Sequence, residues 1–179
     1  MLFRMIAPER GHLPRELTCS CSGMLVRMTA LTFRLARRED VPLVVGLLND
    51  DSIARSRGVA PDIGLGHWAA FDAIDADPNN ELVVAEIDGE VVGTFQLTFI
   101  PGLSRNGGER AQIEAVRVAE PYRNQGIGRA MVAWSIDRAK LRGCALVQLT
   151  SDKRRTEAHR FYGSLGFTAS HEGFKLQLS

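Results

Sequence analysis

The stretch Pro121-Tyr122-Arg123-Asn124-Gln125-Gly126-Ile127-Gly128-Arg129 separates an alternating apolar run from a long amphipathic segment. This order predicts a strand, a glycine-rich turn and a helix. Glycines let the backbone approach an anion closely, and the N–H groups and dipole at the start of a helix favour negative charge. Arg123 and Arg129 add positive charge beside the turn. The stretch therefore predicts a site for a phosphorylated ligand, and a plain strand–helix turn fits the two glycines equally well.

The turn differs from two common nucleotide-binding patterns. A Walker A loop needs Gly-Lys-Ser/Thr, and no lysine follows Gly128. A dinucleotide fingerprint needs three glycines after the first strand of a βαβ unit. Here two glycines come late in the chain, in the pattern Arg-x-x-Gly-x-Gly. The class of ligand must therefore be inferred from the rest of the sequence.

Composition restricts the classes of protein. The chain has 179 residues, of which 45% are hydrophobic and 24% charged, and a formal net charge of +1. This length supports one domain with a core. The near-neutral charge gives no case for nucleic-acid or membrane binding, and no apolar run approaches the roughly 20 residues of a membrane span. Three cysteines are too few for a disulfide framework, and Cys19-Ser20-Cys21 lacks zinc-site spacing. We expect a cytoplasmic protein with free thiols and no metal.

Residues 1–28 mix proline, glycine and charged residues without periodicity, so we expect a poorly ordered N-terminal extension. Met28 is a candidate for the natural start of the protein. Residues 29–179 are expected to form the folded domain. Their patterns predict, in order, a strand at 31–35, a helix N-capped by Asp40, a helix at 65–76, a hairpin of strands 81–87 and 90–100, a strand at 111–118, a helix ended by Gly143, a strand at 144–150, a helix at 156–165 and final strands at 167–170 and 174–178.

A second motif makes the assignment specific. Residues 158–167 read Ala-His-Arg-Phe-Tyr-Gly-Ser-Leu-Gly-Phe and begin thirty residues beyond Gly128. The pattern Ala-x-x-Phe-Tyr-x-x-Leu-Gly-Phe resembles the end of the domain in GCN5-related N-acetyltransferases (GNAT). The Arg-x-x-Gly-x-Gly turn resembles the acetyl-CoA pyrophosphate loop of the same superfamily. The two motifs and the order of elements resemble that superfamily over about residues 31–179.

The resemblance implies an α/β fold of the mixed α+β kind. In that fold a mostly antiparallel sheet with flanking helices contains two parallel strands that splay apart, here 111–118 and 144–150. It implies that the pantetheine arm of acetyl-CoA lies in the gap and bonds the backbone of Val116 and Val118. Arg155 stands where the family often has a pantetheine-contacting asparagine. Arg155 could also meet the 3′-phosphate of CoA, or belong to a solvated cluster with Lys153 and Arg154. Arg123 takes the position of the motif's Arg or Gln. The pyrophosphate would meet the backbone N–H groups of the glycine-rich turn, which are those of Asn124, Gln125, Gly126, Ile127, Gly128 and Arg129.

Acetyl transfer to an amine needs a base and an acid. A lysine-type amine has a pKa of about 10.4 and must lose a proton before it attacks. Glu114, on the strand predicted at 111–118, is a candidate base that would accept the proton directly or through water. It could equally be an exposed glutamate or a salt-bridge partner of Arg117. Tyr162 matches the family's tyrosine and is a candidate acid for the CoA thiolate; a packed aromatic is the alternative. We interpret His159 as a surface residue and Cys144 as a core cysteine, not as a nucleophile.

The sequence therefore predicts an N-acetyltransferase that transfers the acetyl group of acetyl-CoA to a primary amine by direct attack in a ternary complex. The alternative is a non-catalytic acyl-CoA-binding sensor or regulatory module. The acceptor, a small-molecule or peptide amine, is not readable from the sequence. The resemblance allows a homodimer.

Overall fold

The structure is a computed structural model and describes residues 30–50 and 63–178. The predicted N-terminal extension, residues 1–28, lies outside these residues. Short 3-10 turns at Arg38–Asp40 and Glu120–Tyr122 and a helical turn at Ser104–Gly107 supplement the main elements. The main elements in chain order are β1 (Leu31–Leu35), α1 (Val41–Asn49), α2 (Leu65–Ala76), β2 (Asn80–Ile87), β3 (Glu90–Ile100), β4 (Arg110–Val118), α3 (Ile127–Arg142), β5 (Leu146–Leu149) and α4 (Thr156–Gly163).

The described strands form one mixed sheet in the order β1-β2-β3-β4-β5. The first three pairs are antiparallel and β4 pairs with β5 in parallel. The parallel pairing is short, because Arg110–Ile113 faces Leu146–Leu149 and the two strands then part. The predicted fold class, a mostly antiparallel sheet with a splayed parallel pair and flanking helices, is confirmed.

A β-bulge in β4 lies at the point where β4 leaves β5. Thr94 of β3 pairs with Arg117 and Gln96 pairs with Glu114, so one residue of β3 faces two of β4. Ala115 in this bulge has a φ of 56°, in the left-handed region. A bulge bends its strand and increases the local twist. The bend therefore turns the end of β4 away from β5 and opens the gap between them.

The core has a layer on each face of the sheet. Helices α1 and α2 cover one face near β2, where Val44, Phe71 and Val84 are buried together. Helix α3 covers the other face, with Met131 and Val132 against apolar residues of β2, β3 and β4. Gly143 ends α3 with a φ of 82°, as expected of a C-terminal glycine. No helix among residues 30–50 and 63–178 is long and apolar enough to cross a bilayer.

Asp40 has a different role from the predicted one. It lies at the N-cap position of α1, but its carboxylate does not cap that helix. It accepts the Arg37 N–H at 2.6 Å and two bonds from the Arg34 guanidinium at 2.6 and 3.0 Å. Burial raises the pKa of Asp40, but the bonds from Arg34 and Arg37 outweigh burial and the net pKa is lowered. Asp40 thus ties the end of β1 to the start of α1.

The two predicted final strands are wrong. Residues 167–178 contain no strand, and Phe174, Leu176 and Leu178 are 95%, 85% and 88% exposed. Their alternation fits a strand, but a strand forms only where a neighbour supplies hydrogen bonds and a core supplies burial. Within the described residues β5 is therefore one edge of the sheet.

Candidate active site

The glycine-rich turn has the geometry of an anion site. The first backbone bond of α3 runs from the Ala130 N–H to the Gly126 carbonyl at 3.0 Å, so the N–H groups of Ile127, Gly128 and Arg129 precede the helical ladder. None of the described side chains caps this helix end. Gly126 has a φ of 83°, and a Cβ built on it would meet nothing within 4 Å. The turn therefore has both N–H donors and open space beside it.

A cleft of about 500 Å³ joins this turn to the end of β4, where that strand has left β5. It collects six of the predicted site residues, together with Asp50, Arg117, Glu120 and Phe161. The wall is formed by Val116, Arg117 and Val118 of β4, Asp50, Glu120, Arg123 and Gly128 near the turn, and Arg155, Phe161 and Tyr162 near α4. The cleft therefore runs from the start of α3 along the end of β4 to α4.

Tyr162 is held in the cleft by its aromatic neighbours. Its ring centroid lies 5.0 Å from that of Phe161 and 6.0 Å from that of Phe167, both edge-on. Burial raises the pKa of Tyr162 above its ordinary 10.0, although the charges of Arg117 and Arg155 act in the opposite direction. The phenol is therefore protonated at neutral pH and can donate a proton.

Arginine side chains bond the backbone that was predicted to meet pantetheine. The Val116 carbonyl accepts the Arg117 Nη1–H at 2.8 Å, and the Val118 carbonyl accepts the Arg123 Nε–H at 3.0 Å. Each carbonyl has a second lone pair. Arg123 also donates to Asp50 Oδ2 at 2.9 Å. This ion pair joins the end of α1 to the glycine-rich turn.

The sequence model of the acetyltransferase (GNAT) family matches residues 49–167, which include the turn, the splayed strands and Tyr162. The chain belongs to the GNAT acetyltransferase family. An aminoalkylphosphonate N-acetyltransferase of Salmonella typhimurium is 35% identical over 104 residues, 58% of this chain and 67% of the relative. A glucosamine 6-phosphate N-acetyltransferase of Trypanosoma brucei brucei is 32% identical over 90 residues, 50% of this chain and 59% of the relative.

A solved structure supports the same GNAT fold over more of the chain. The crystal structure of a transcriptional regulator from Bacillus halodurans C-125 superposes with a TM-score of 0.80 and 46% sequence identity. The match covers 83% of this chain and 99% of that protein. The shared architecture therefore extends well beyond the two sequence motifs.

Glu114 lies apart from the cleft wall of this GNAT domain. It is exposed on β4, opposite Gln96, and does not line the cleft. Because the bulge separates it from Arg117, the two side chains share one face of the sheet. A water relay could join Glu114 to an amine at the gap, so its role as base stays a prediction.

The remaining residues of the turn have structural roles as well. Ile127 is a core residue, 4% exposed, so only its backbone can meet a ligand. Asn124 has a φ of 63°, which helps to shape the turn. The Gln125 side chain donates to the Pro121 carbonyl at 2.9 Å, and Arg129 donates to Ser164 Oγ at 3.1 Å. These contacts connect the GNAT turn to its surroundings.

The predicted basic cluster is divided by the structure. Lys153 pairs with Glu172, and Arg154 pairs with Asp152 at 2.8 Å. Arg155 lines the cleft beside Tyr162. Arg155 is therefore the member of this cluster that the structure brings into the site.

The structure places His159 on the surface and Cys144, partly buried, against the core. His159 is exposed, with its Nε2 at 3.0 Å from the Asp152 carbonyl oxygen. Cys144 packs against the core of β4 and α3, and its Sγ lies 3.6 Å from Glu109 Oε2. Burial, followed by Glu109, raises the pKa of this thiol. A raised pKa lowers the thiolate fraction at neutral pH, and the assignment of Cys144 as a packing residue stays a prediction.

Sequence reasoning missed the roles of Arg117 and Asp50 in the cleft. Strict alternation from Ile113 would place Arg117 on the α3 face, and only the bulge in β4 moves its side chain to the opposite face. Asp50 is 73 residues from its partner Arg123. No local pattern in the sequence indicates that contact.

Proposed function

We propose that the domain spanning residues 29–179 transfers the acetyl group of acetyl-CoA to a primary amine of a small molecule, by direct attack in a ternary complex. One observation carries the proposal. The start of α3, which no described side chain caps, the part of β4 that no longer pairs with β5, and Tyr162 converge on a single cleft.

The residues of the cleft fit acetyl-CoA. The N–H groups of residues 124–129, with Arg123, would hold the pyrophosphate, because uncoordinated N–H groups and a helix dipole favour an anion. Val116 and Val118 would bond the pantetheine amides, and Arg155 would supply positive charge beside them. Acetyl-CoA, when bound, supplies an acetyl group activated as a thioester.

Tyr162 and Glu114 divide the proton transfers in this proposal. The Tyr162 hydroxyl donates a proton to the sulfur of CoA as it leaves, and the raised pKa keeps that proton in place at neutral pH. Glu114 accepts the proton of the amine through water, because its carboxylate stands outside the cleft wall. Both relatives are named for small amines, which supports a small-molecule acceptor over a peptide.

Calorimetric titration with acetyl-CoA, CoA and ADP tests the cofactor, and a panel of amines then tests transfer. We expect acetyl-CoA and CoA to bind much more tightly than ADP and at least one amine to be acetylated. Folded protein that binds acetyl-CoA but acetylates no amine would contradict the enzyme reading.

A regulatory function is the second candidate. It is favoured by one observation, the 46% identity with a protein named a transcriptional regulator. A sensor would bind acetyl-CoA in the same cleft without turnover. Replacement of Tyr162 by phenylalanine would then leave its affinity for acetyl-CoA unchanged. Loss of product formation in that variant supports the enzyme.

A further inference from the structure

The two faces of β4 have different neighbours. Val116 and Val118 pack with the cluster that contains Ile127 and Met131 of α3. Arg117 lies between them and pairs with Thr94 of β3, so its side chain belongs to the opposite face. The phosphates of acetyl-CoA would meet the start of α3. Arg117 is therefore placed on the side of the sheet away from that cradle.

The face that bears Arg117 is hydrophilic beyond the cover of α1 and α2. Thr98 Oγ1 donates to Asn80 Oδ1 at 2.7 Å, and Gln148 Nε2 donates to Gln112 Oε1 at 2.7 Å. The strand registers place these residues in one row across β2, β3, β4 and β5. On the other face, Leu97, Phe99 and Ile113 are at most 2% exposed. A polar surface thus leads to the gap on the side opposite α3.

Arg117 is anchored at the edge of that gap. Its Nη1 donates to the Val116 carbonyl at 2.8 Å, and the side chain lines the same cleft as Tyr162. A guanidinium presents its N–H groups as a planar fork that matches carboxylate and phosphate oxygens. Among residues 30–50 and 63–178, the cleft wall contains three arginines and two acids, Asp50 and Glu120, which gives these side chains a formal charge of +1. Of the two acids, Asp50 already pairs with Arg123.

We propose that Arg117 is a specificity-determining residue that holds an oxyanion group of the acceptor. The acceptor is then an amine that carries a phosphate, phosphonate or carboxylate a few bonds from its nitrogen. The nitrogen and the anionic group of the acceptor must lie close together, because Arg117 lines the same cleft as Tyr162 and the amine must reach the thioester there. The inference rests on the proposed acetyltransferase function and adds a substrate class to it.

Competition between matched acceptors tests this inference. O-phosphoethanolamine and ethanolamine share a skeleton and differ in the phosphate, and β-alanine carries a carboxylate instead. We expect the wild type to favour an anionic probe, and Arg117→Gln to reduce the kcat/KM ratio of that probe to ethanolamine by about 10- to 100-fold, mainly through KM. Arg117→Lys should restore part of the ratio, because lysine keeps the charge without the fork.

Arg110→Gln is the matched control, because Arg110 lies on the same face of β4 but outside the cleft. It should leave the ratio unchanged. Calorimetric binding of O-phosphoethanolamine and of β-alanine to the CoA complex gives a second readout that needs no turnover. Three results would each overturn the inference. The first is a kcat/KM ratio of the Arg117→Gln variant that lies within about threefold of the wild-type ratio. The others are a wild type that prefers ethanolamine and anion binding that does not depend on Arg117. Acetylation of ethanolamine in those cases leaves the proposed function intact, whereas acetylation of no amine removes it.

Discussion

Replacing Tyr162 by phenylalanine removes one hydroxyl and keeps the ring. The contacts of that ring with Phe161 and Phe167, at centroid distances of 5.0 and 6.0 Å, remain available. We therefore expect the free energy of unfolding to change by less than about 1 kcal/mol. The loss of a general acid should reduce kcat by about 10²- to 10⁴-fold, which corresponds to roughly 3–5 kcal/mol in the activation barrier.

The assay is steady-state release of CoA thiol at saturating acetyl-CoA, together with calorimetry of acetyl-CoA binding. Tyr122→Phe is the matched control, because Tyr122 is the other tyrosine of the chain and its hydroxyl donates to Glu90 at 2.9 Å, outside the cleft. The control should keep its kcat. A Tyr162→Phe enzyme with a kcat within about threefold of wild type and unchanged stability would refute the role of Tyr162 as acid.

The pH dependence of the free energy of unfolding of the wild type and of Tyr162→Phe gives a further check. Tyr162 has a pKa above its ordinary 10.0, so the folded state favours the neutral phenol. The sign follows from linkage. This contribution to stability is fully present below pH 10.0 and is lost as the pH rises from there through the raised pKa. The wild type should therefore lose more stability than Tyr162→Phe in alkaline urea titrations.

Three other substitutions test the turn, the core and the thiol. Gly126→Val places a side chain at a φ of 83° and should weaken acetyl-CoA binding at least about tenfold, whereas Gly143→Val, at a φ of 82° on the far end of α3, carries a similar strain of about 1–2 kcal/mol and should keep its affinity. Asp40→Asn should cost about 3 kcal/mol in urea unfolding at neutral pH. Because the pKa of Asp40 is lowered in the folded state, the wild type loses this stabilisation in acid. The difference in the free energy of unfolding between the wild type and Asp40→Asn should therefore narrow as the pH falls below 3.8, the ordinary pKa of an aspartate. Cys144→Ala should keep kcat within about twofold of the wild-type value. Slow alkylation of the Cys144 thiol in the wild type at pH 7 would agree with its raised pKa. A large loss of kcat would contradict the assignment of Cys144 to the core.

Local patterns predicted most elements of the fold because their physics is local. The Asp88-Gly89 turn joins β2 and β3, and both residues adopt the positive φ that a two-residue hairpin requires, 51° and 82°. Helix α2 has the predicted bounds, Leu65–Ala76. Leu141 of α3 is apolar but 71% exposed, because it lies two residues from the buried Ala139 and hence on the opposite side of the helix.

Boundaries failed where a strand depends on a distant partner. The strand predicted at 144–150 forms only over Leu146–Leu149, the part that pairs with β4. The alternating residues at 174–178 form no strand, although their pattern matches one. Alternation states which face a residue would take. It does not supply the neighbouring strand that makes the hydrogen bonds.

The sequence by itself determined the family and the glycine-rich turn, because both depend on short motifs in which the backbone conformation is set by neighbouring residues. Gly126 and Gly143 mark the two ends of α3, at φ of 83° and 82°, without help from the rest of the chain. Tyr162 was identified in the same way, from its own motif.

Only the tertiary structure decided how these parts meet. The bulge at Ala115 arises from the register between β3 and β4, and it both opens the gap and places Arg117 on the face away from α3. The Asp50–Arg123 pair joins residues 73 positions apart. Such contacts depend on the packing of separate elements, and no local pattern of amino acids encodes which distant surfaces come together.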